Sequence, residues 1–136
     1  MIYSKIYLSQ SNIFLFDDLL GDSYEELQTY YDDLFMNYAE DLILDDCSYF
    51  IHDENFNIVG FYSLSPCNPN ILRYLYIKPE HRKMNYGTAI IQQLLNENKI
   101  LKLNCSIKNK NAIKFYDKFN SSKTVNDNEV TYELKI

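Results

Sequence analysis

The chain has 136 residues, 46% of them hydrophobic, which suffices for one packed domain over 1–136 and is too little for two ordinary ones. A formal net charge of −6 and a sequence pI near 4.8 argue against a nucleic-acid-binding protein. Charges break every apolar stretch well short of a bilayer span, and no basic segment with an apolar core opens the chain, so a cytoplasmic protein without a membrane segment is expected.

Ile2 to Leu8 alternates in part and reads as an opening strand, followed by a short helix around Asn12 to Leu20. Gly21-Asp22 breaks that pattern. Ser23-Tyr24-Glu25-Glu26 then supplies a capping box, whose hydroxyl and carboxylate satisfy orphaned backbone donors, and a second helix is expected to run on with Leu27, Tyr31, Leu34, Phe35, Tyr38 and Leu42 at helical spacing. From Ser48 to Leu64 the period becomes that of strands, with the polar turn Asp53-Glu54-Asn55 making a hairpin. Ile71 to Ile77 reads as another strand, ended by Pro79. A helix from about Asn85 to Asn98 buries Ala89, Ile90, Ile91, Leu94 and Leu95. Ile100 to Ile107 is a strand, Asn109 to Phe119 a helix, and the remainder a hairpin turning at Asn126-Asp127-Asn128.

Charge is divided along the chain. Residues 1–66 hold thirteen acids against the single base Lys5, whereas residues 67–136 hold six acids against twelve bases, so the halves carry −12 and +6. That division suits a basic surface for a phosphate-bearing ligand and an acidic one for a cationic ligand; solvated helix faces account for the acidic half equally well. Cys47, Cys67 and Cys105 are odd in number and widely spaced, and His52 and His81 are isolated, so reduced thiols and no metal are expected. Cys105, in a strand of buried character, reads as a core thiol rather than a nucleophile.

The chemistry concentrates where the strand ending at Ile77 turns into the helix after Asn85. A helix start gathers backbone N–H groups without intrahelical partners, and its dipole adds positive potential, which together favour phosphate. Arg82 and Lys83 add two cations there, and Gly87 lets a ligand approach the backbone closely.

The stretch Leu75-Tyr76-Ile77-Lys78-Pro79-Glu80-His81-Arg82-Lys83-Met84-Asn85-Tyr86-Gly87-Thr88 resembles the acyl-CoA signature of the GNAT superfamily of N-acetyltransferases. That signature is an apolar strand and a proline, then Arg or Gln, two residues, Gly, one residue, and Gly or Ala. Arg82 and Gly87 match, while Asn85 replaces the first glycine. If the position requires a left-handed backbone, asparagine is the best-tolerated substitute, so the loop is expected to keep its shape. A second stretch, Asn109 to Asn120, resembles the family's later motif at Asn109, Ala112 and Tyr116. Asn120 stands where a glycine ends the helix, and a left-handed C-cap is expected there.

The resemblance, strongest over 48–120, implies an α/β fold with a mixed, mostly antiparallel sheet flanked by helices in the order β-α-α-β-β-β-α-β-α-β-β. It implies transfer of an acetyl group from acetyl-CoA, as co-substrate and without a metal, to a small-molecule or peptide primary amine, cationic if the acidic half recruits it. On the same terms, Arg82, Lys83, Met84, Asn85, Tyr86, Gly87 and Thr88 hold the pyrophosphate, and the backbones of Tyr76 and Ile77 meet the pantetheine arm. Asn109 caps its helix and reaches the cofactor. Tyr116 protonates the departing thiolate, although its apolar stripe with Ala112, Phe115 and Phe119 also suits a core aromatic. The strand Ile71–Ile77 carries no Asp or Glu to act as base; Tyr74, Tyr76 and Asn104 are candidates to line the proton's route, with Glu25, Glu26 or Glu40 attracting the amine. The alternative reading is a CoA-binding or protein-interaction module of the same fold with weak or no catalysis.

Overall fold

The apolar periods of the chain become two antiparallel sheets and two well-defined helices in the computed structural model, which describes residues 6–7, 14–15, 18–19 and 47–136. Strand β1 is Ile6–Tyr7, β2 Ser48–His52, β3 Ile58–Leu64 and β4 Leu72–Ile77; a 3-10 turn Pro79–His81 leads to helix α1, Tyr86–Asn98. Strand β5 is Ile100–Ser106, helix α2 Lys110–Tyr116, β6 Ser121–Val125 and β7 Glu129–Lys135. Phe14, Leu15, Asp18 and Leu19 are helical, within the span read as the first helix, and Leu19 is buried. The capping box at Ser23 and the helix from Leu27 to Leu42 lie outside the described residues, and Glu25, Glu26 and Glu40 with them.

The sheets run in the orders β1-β2-β3-β4 and β5-β7-β6, every named pairing being antiparallel. One parallel bridge, Ile71 to Lys102, joins them, and beside it the Lys102 N–H donates to the Asn70 carbonyl at 2.7 Å. Beyond that bridge β4 and β5 are not paired with each other. The β3–β4 ladder also slips register between Ser63 and Leu64, next to the bridge. Such a bulge bends and over-twists its strand, which turns the remainder of β4 away from β5.

Strands β5 and β7 alternate buried and outward residues, and their inward side chains Leu101, Leu103, Cys105, Val130, Tyr132 and Leu134 join Ile90, Ile91, Leu94 and Leu95 of α1 in one core. Strand β3 is buried along almost its whole length because both faces of the first sheet are covered. Leu75 and Ile77 pack towards the core, whereas Tyr74 and Tyr76 share the opposite face with Phe61, whose ring centroid is 6.4 Å from each of theirs.

Two local expectations need correction. Helix α2 stops at Tyr116 instead of Phe119, because Lys118 and Phe119 bond to the carbonyls of Phe115 and Tyr116 in tighter i to i+3 turns. Asn120 is not a left-handed cap: its φ is not positive, and its carbonyl accepts the Lys135 N–H at 2.9 Å, so it already belongs to the ladder with β7.

Gly60 is required by close approach of backbones. A Cβ at this position would collide with the Tyr76 carbonyl oxygen of β4. We expect Gly60→Ala to lower stability by about 1–3 kcal/mol, as overpacking at a site that cannot yield does; urea denaturation measures it, and an unchanged midpoint would show that β4 shifts freely.

Candidate active site

The separation of β4 from β5 opens a cavity of about 540 Å³ walled by the end of β4, the first turn of α1 and one face of α2. That is the size of a small-ligand site. Of the residues singled out from the sequence, Tyr76, Ile77, Arg82, Lys83, Asn85, Tyr86, Gly87, Thr88, Asn109 and Tyr116 all line it. Met84 does not. It lies between two residues of positive φ and its side chain is 54% exposed, turned out to solvent.

The turn before α1 holds its shape through left-handed residues. Lys83 has φ 66°, and Asn85, the N-cap of α1, has φ 67° and ψ 13°. Asn85 therefore occupies the conformation for which glycine is the usual residue, and asparagine tolerates it at modest cost. Its side chain makes no capping hydrogen bond. The first intrahelical bond of the turn runs from the Ala89 N–H to the Asn85 carbonyl at 3.0 Å, so the N–H groups of Gly87 and Thr88 lie ahead of it, at the positive end of the helix dipole.

Three sequence assignments change in detail. Gly87 is small for the sake of α2: a Cβ would stand 3.1 Å from Cζ of Phe115, so the missing side chain lets that ring pack on the first turn of α1. Arg82 is a clamp as well as a charge. Its Nε donates to the Ile77 carbonyl at 2.9 Å, and its guanidinium lies 5.5 Å from the centre of the Tyr76 ring, tying the turn to the end of β4. The backbone of Tyr76 is turned towards Phe61 and not towards the cavity. The Lys78 N–H bonds to Val59 and the Ser65 N–H to Ile71, and antiparallel alternation then directs the groups of Tyr74 and Tyr76 to β3 and those of Leu75 and Ile77 to the side of β5.

Asn109 caps α2, its Oδ1 accepting the Ala112 N–H at 3.2 Å. It also lines a second cavity of about 620 Å³, bordered by Arg73, Tyr74, Lys102, Asn104, Ser106, Glu129 and Thr131. The two cavities thus share Asn109. Cys105 lines the second one, but burial first, and then the charge of Asp117, pushes its thiol up to about 11, which suits an inert core thiol.

Tyr116 ends α2, buried in the core and exposed to the first cavity at once. Its ring meets Phe115 edge-on at 5.0 Å and Tyr132 at 5.5 Å. Tyr132 in turn donates to Asp117 at 2.7 Å, and Asp117 forms an ion pair with Lys123 at 3.0 Å. These two partners, Tyr132 foremost, hold the Asp117 carboxyl below the usual carboxylate range, while burial and that same carboxylate raise the Tyr132 phenol. The end of α2 is tied to β6 and β7 in this way.

Sequence reading missed Asn111 and Lys114 of α2 and Lys118 in the turn after it, all lining the first cavity, and Glu129 in the second cavity. The spacing of Lys114 and Lys118, four residues apart on a helix already assigned to the site, was a signal for that pair; nothing in the sequence pointed to Glu129. Among the described residues lining the first cavity, Arg82, Lys83, Lys114 and Lys118 are charged and none is acidic. In a chain of net charge −6, that is a marked local inversion of sign. Also among the described residues, no group of three His, Cys, Asp or Glu is arranged to hold a metal, and no helix is long and apolar enough to cross a membrane.

A family model described as "Acetyltransferase (GNAT) family" matches residues 13–120. Solved structures of similar fold include PaiA N-acetyltransferase from Thermoplasma acidophilum in complex with coenzyme A, at 16% identity and TM-score 0.73 over 100% of both chains. The solution structure of apo YjaB from Escherichia coli aligns at 18% identity and TM-score 0.68, over 100% of this chain and 99% of that one. Spermidine N-acetyltransferase from Vibrio cholerae, in complex with CoA and spermine, aligns at 14% identity and TM-score 0.69 over 96% and 92%. Among curated proteins no sequence matches the chain.

Two outcomes follow from this geometry. Asn85→Val should cost about 1–2 kcal/mol, the penalty of a β-branched residue forced into a left-handed backbone, whereas Asn85→Gly should leave stability equal or higher; thermal melts separate the two. The depressed pKa of Asp117 means that its contribution is complete above the ordinary carboxyl pKa of about 3.9 and is lost as pH falls through its lower folded value. The urea midpoint of the wild type should therefore drop on acidification below about pH 4, and Asp117→Asn should flatten that part of the profile.

Proposed function

Because the chain belongs to the GNAT acetyltransferase family, we propose that it transfers the acetyl group of acetyl-CoA directly to a primary amine, with the thioester in the cavity between β4, α1 and α2 and the amine entering by the second cavity. The observation that carries this reading is the run of lining residues from the left-handed turn at Asn85, through four cations and no described acid, to Tyr116 at the far wall. A helix N-terminus and fixed cations suit a pyrophosphate, and the outward-directed backbone of Leu75 and Ile77 suits an arm that carries amides.

A thioester supplies an activated carbonyl and a good leaving group; the protein's part is to hold the reactants and move two protons. An alkyl amine has a pKa of about 10.4 and attacks only as the free base. Nitrogen bonds to the carbonyl carbon as the carbon–sulfur bond breaks. The amine's proton leaves along the polar wall of the second cavity, where Glu129 is the carboxylate among the described lining residues. The Tyr116 hydroxyl gives a proton to the departing sulfur and is re-protonated from solvent. Tyr74 and Asn104, both on the second cavity, line the amine's approach. A cationic acceptor such as a polyamine accords with the charge of −12 on residues 1–66, and proteins of this fold include spermidine N-acetyltransferases.

The test is thiol release from acetyl-CoA over a panel of amines that includes spermidine. Tyr116→Phe should lower kcat by about a hundredfold to ten-thousandfold with acetyl-CoA affinity little changed. An unaltered kcat would remove Tyr116 as the acid. Tight acetyl-CoA binding without turnover on any amine would favour the non-catalytic module instead.

A further inference from the structure

The cations of the first cavity come from two separate segments of the chain. Arg82 and Lys83 belong to the turn before α1, and Arg82 is partly committed to the Ile77 carbonyl and the Tyr76 ring. Lys114 lies in α2 and Lys118 in the tight turn that follows its end at Tyr116; both line the cavity and both side chains are exposed. Phe115, between them in sequence, packs on Gly87 in the first turn of α1, so the two lysines flank the helix start at which a pyrophosphate would sit. Lys110, four residues further back, does not line the cavity.

We infer that Lys114 and Lys118 form a second phosphate subsite, which takes the 3′-phosphate of the CoA nucleotide while the turn and the start of α1 take the pyrophosphate. The inference rests on the reading of this cavity as the CoA site. The chemistry fits in two respects. The 3′-phosphate and the pyrophosphate are carried on one ribose, so the second phosphate must lie beside the first, as Lys114 and Lys118 line the same cavity as the start of α1. A lysine ammonium is a flexible point charge suited to a terminal phosphate at a wet rim, where a rigid bidentate fork is not needed. Described acids are absent from the lining, so nothing among those residues opposes a second dianion there.

The experiment is calorimetric titration with CoA and with 3′-dephospho-CoA of the wild type, the double variant Lys114→Gln/Lys118→Gln, and Lys110→Gln as control. The wild type should bind CoA about tenfold more tightly than dephospho-CoA. The double variant should bind the two ligands alike, with its dephospho-CoA affinity near that of the wild type, and Lys110→Gln should keep the preference. Equal binding of both ligands by the wild type overturns the subsite. So does a double variant that loses affinity equally for both, since the lysines would then act on the pyrophosphate. Failure of the wild type to bind either ligand overturns the CoA site itself, a result distinct from loss of discrimination. The affected side chains are exposed, and circular dichroism of each variant separates misfolding from loss of contact.

Discussion

The single bridge between Ile71 and Lys102 is the constraint on which the rest of this molecule depends. Were β4 and β5 paired along their length, the two sheets would merge and no cavity would lie between them. The slip at Ser63/Leu64 bends β4 beside the bridge, and each strand keeps a full ladder on its other side, β4 with β3 and β5 with β7. Divergence therefore costs few hydrogen bonds and creates two recesses that meet at Asn109. An edge strand with outward-directed amides is normally an aggregation liability; here the helices α1 and α2 stand over it.

Electrostatics and packing then divide the work of the cavity. Its positive character comes from a helix dipole and four side chains, on a chain whose overall charge is negative. Its shape comes from apolar contacts. Gly87 admits the Phe115 ring, which sets the distance between α1 and α2, and Tyr116 rests on Tyr132, whose hydroxyl is bonded to Asp117. A residue that lines the cavity is thus fixed from behind by the second sheet. That arrangement reconciles the two descriptions of Tyr116, because a core aromatic at the end of a helix can also present its edge to a ligand.

The strands and both described helices were legible as periodicities. Alternation in β5 and β7 and the helical spacing of Ile90, Ile91, Leu94 and Leu95 are direct consequences of burying one face. The left-handed Asn85 was legible too, since few residues other than glycine and asparagine sit there at low cost. The same argument misled at Asn120. Two asparagines looked alike in sequence, yet one opens a helix and the other joins a β-ladder, where its carbonyl is taken by Lys135.

By itself the sequence determined the order of elements from residue 48 onward, the turn that precedes α1, and part of the set of residues gathered around it, because these follow from local period, capping and backbone preference. Only the tertiary structure decided where the strands part, why Gly87 must be small, that Arg82 ties the turn to β4 while Met84 faces solvent, and that Lys114, Lys118 and Glu129 belong to the recesses. Those outcomes depend on contacts between residues far apart in the chain. No local pattern encodes such contacts, since the register slip, the ring against the helix and the sign of charge in a cavity exist only once separate elements have packed.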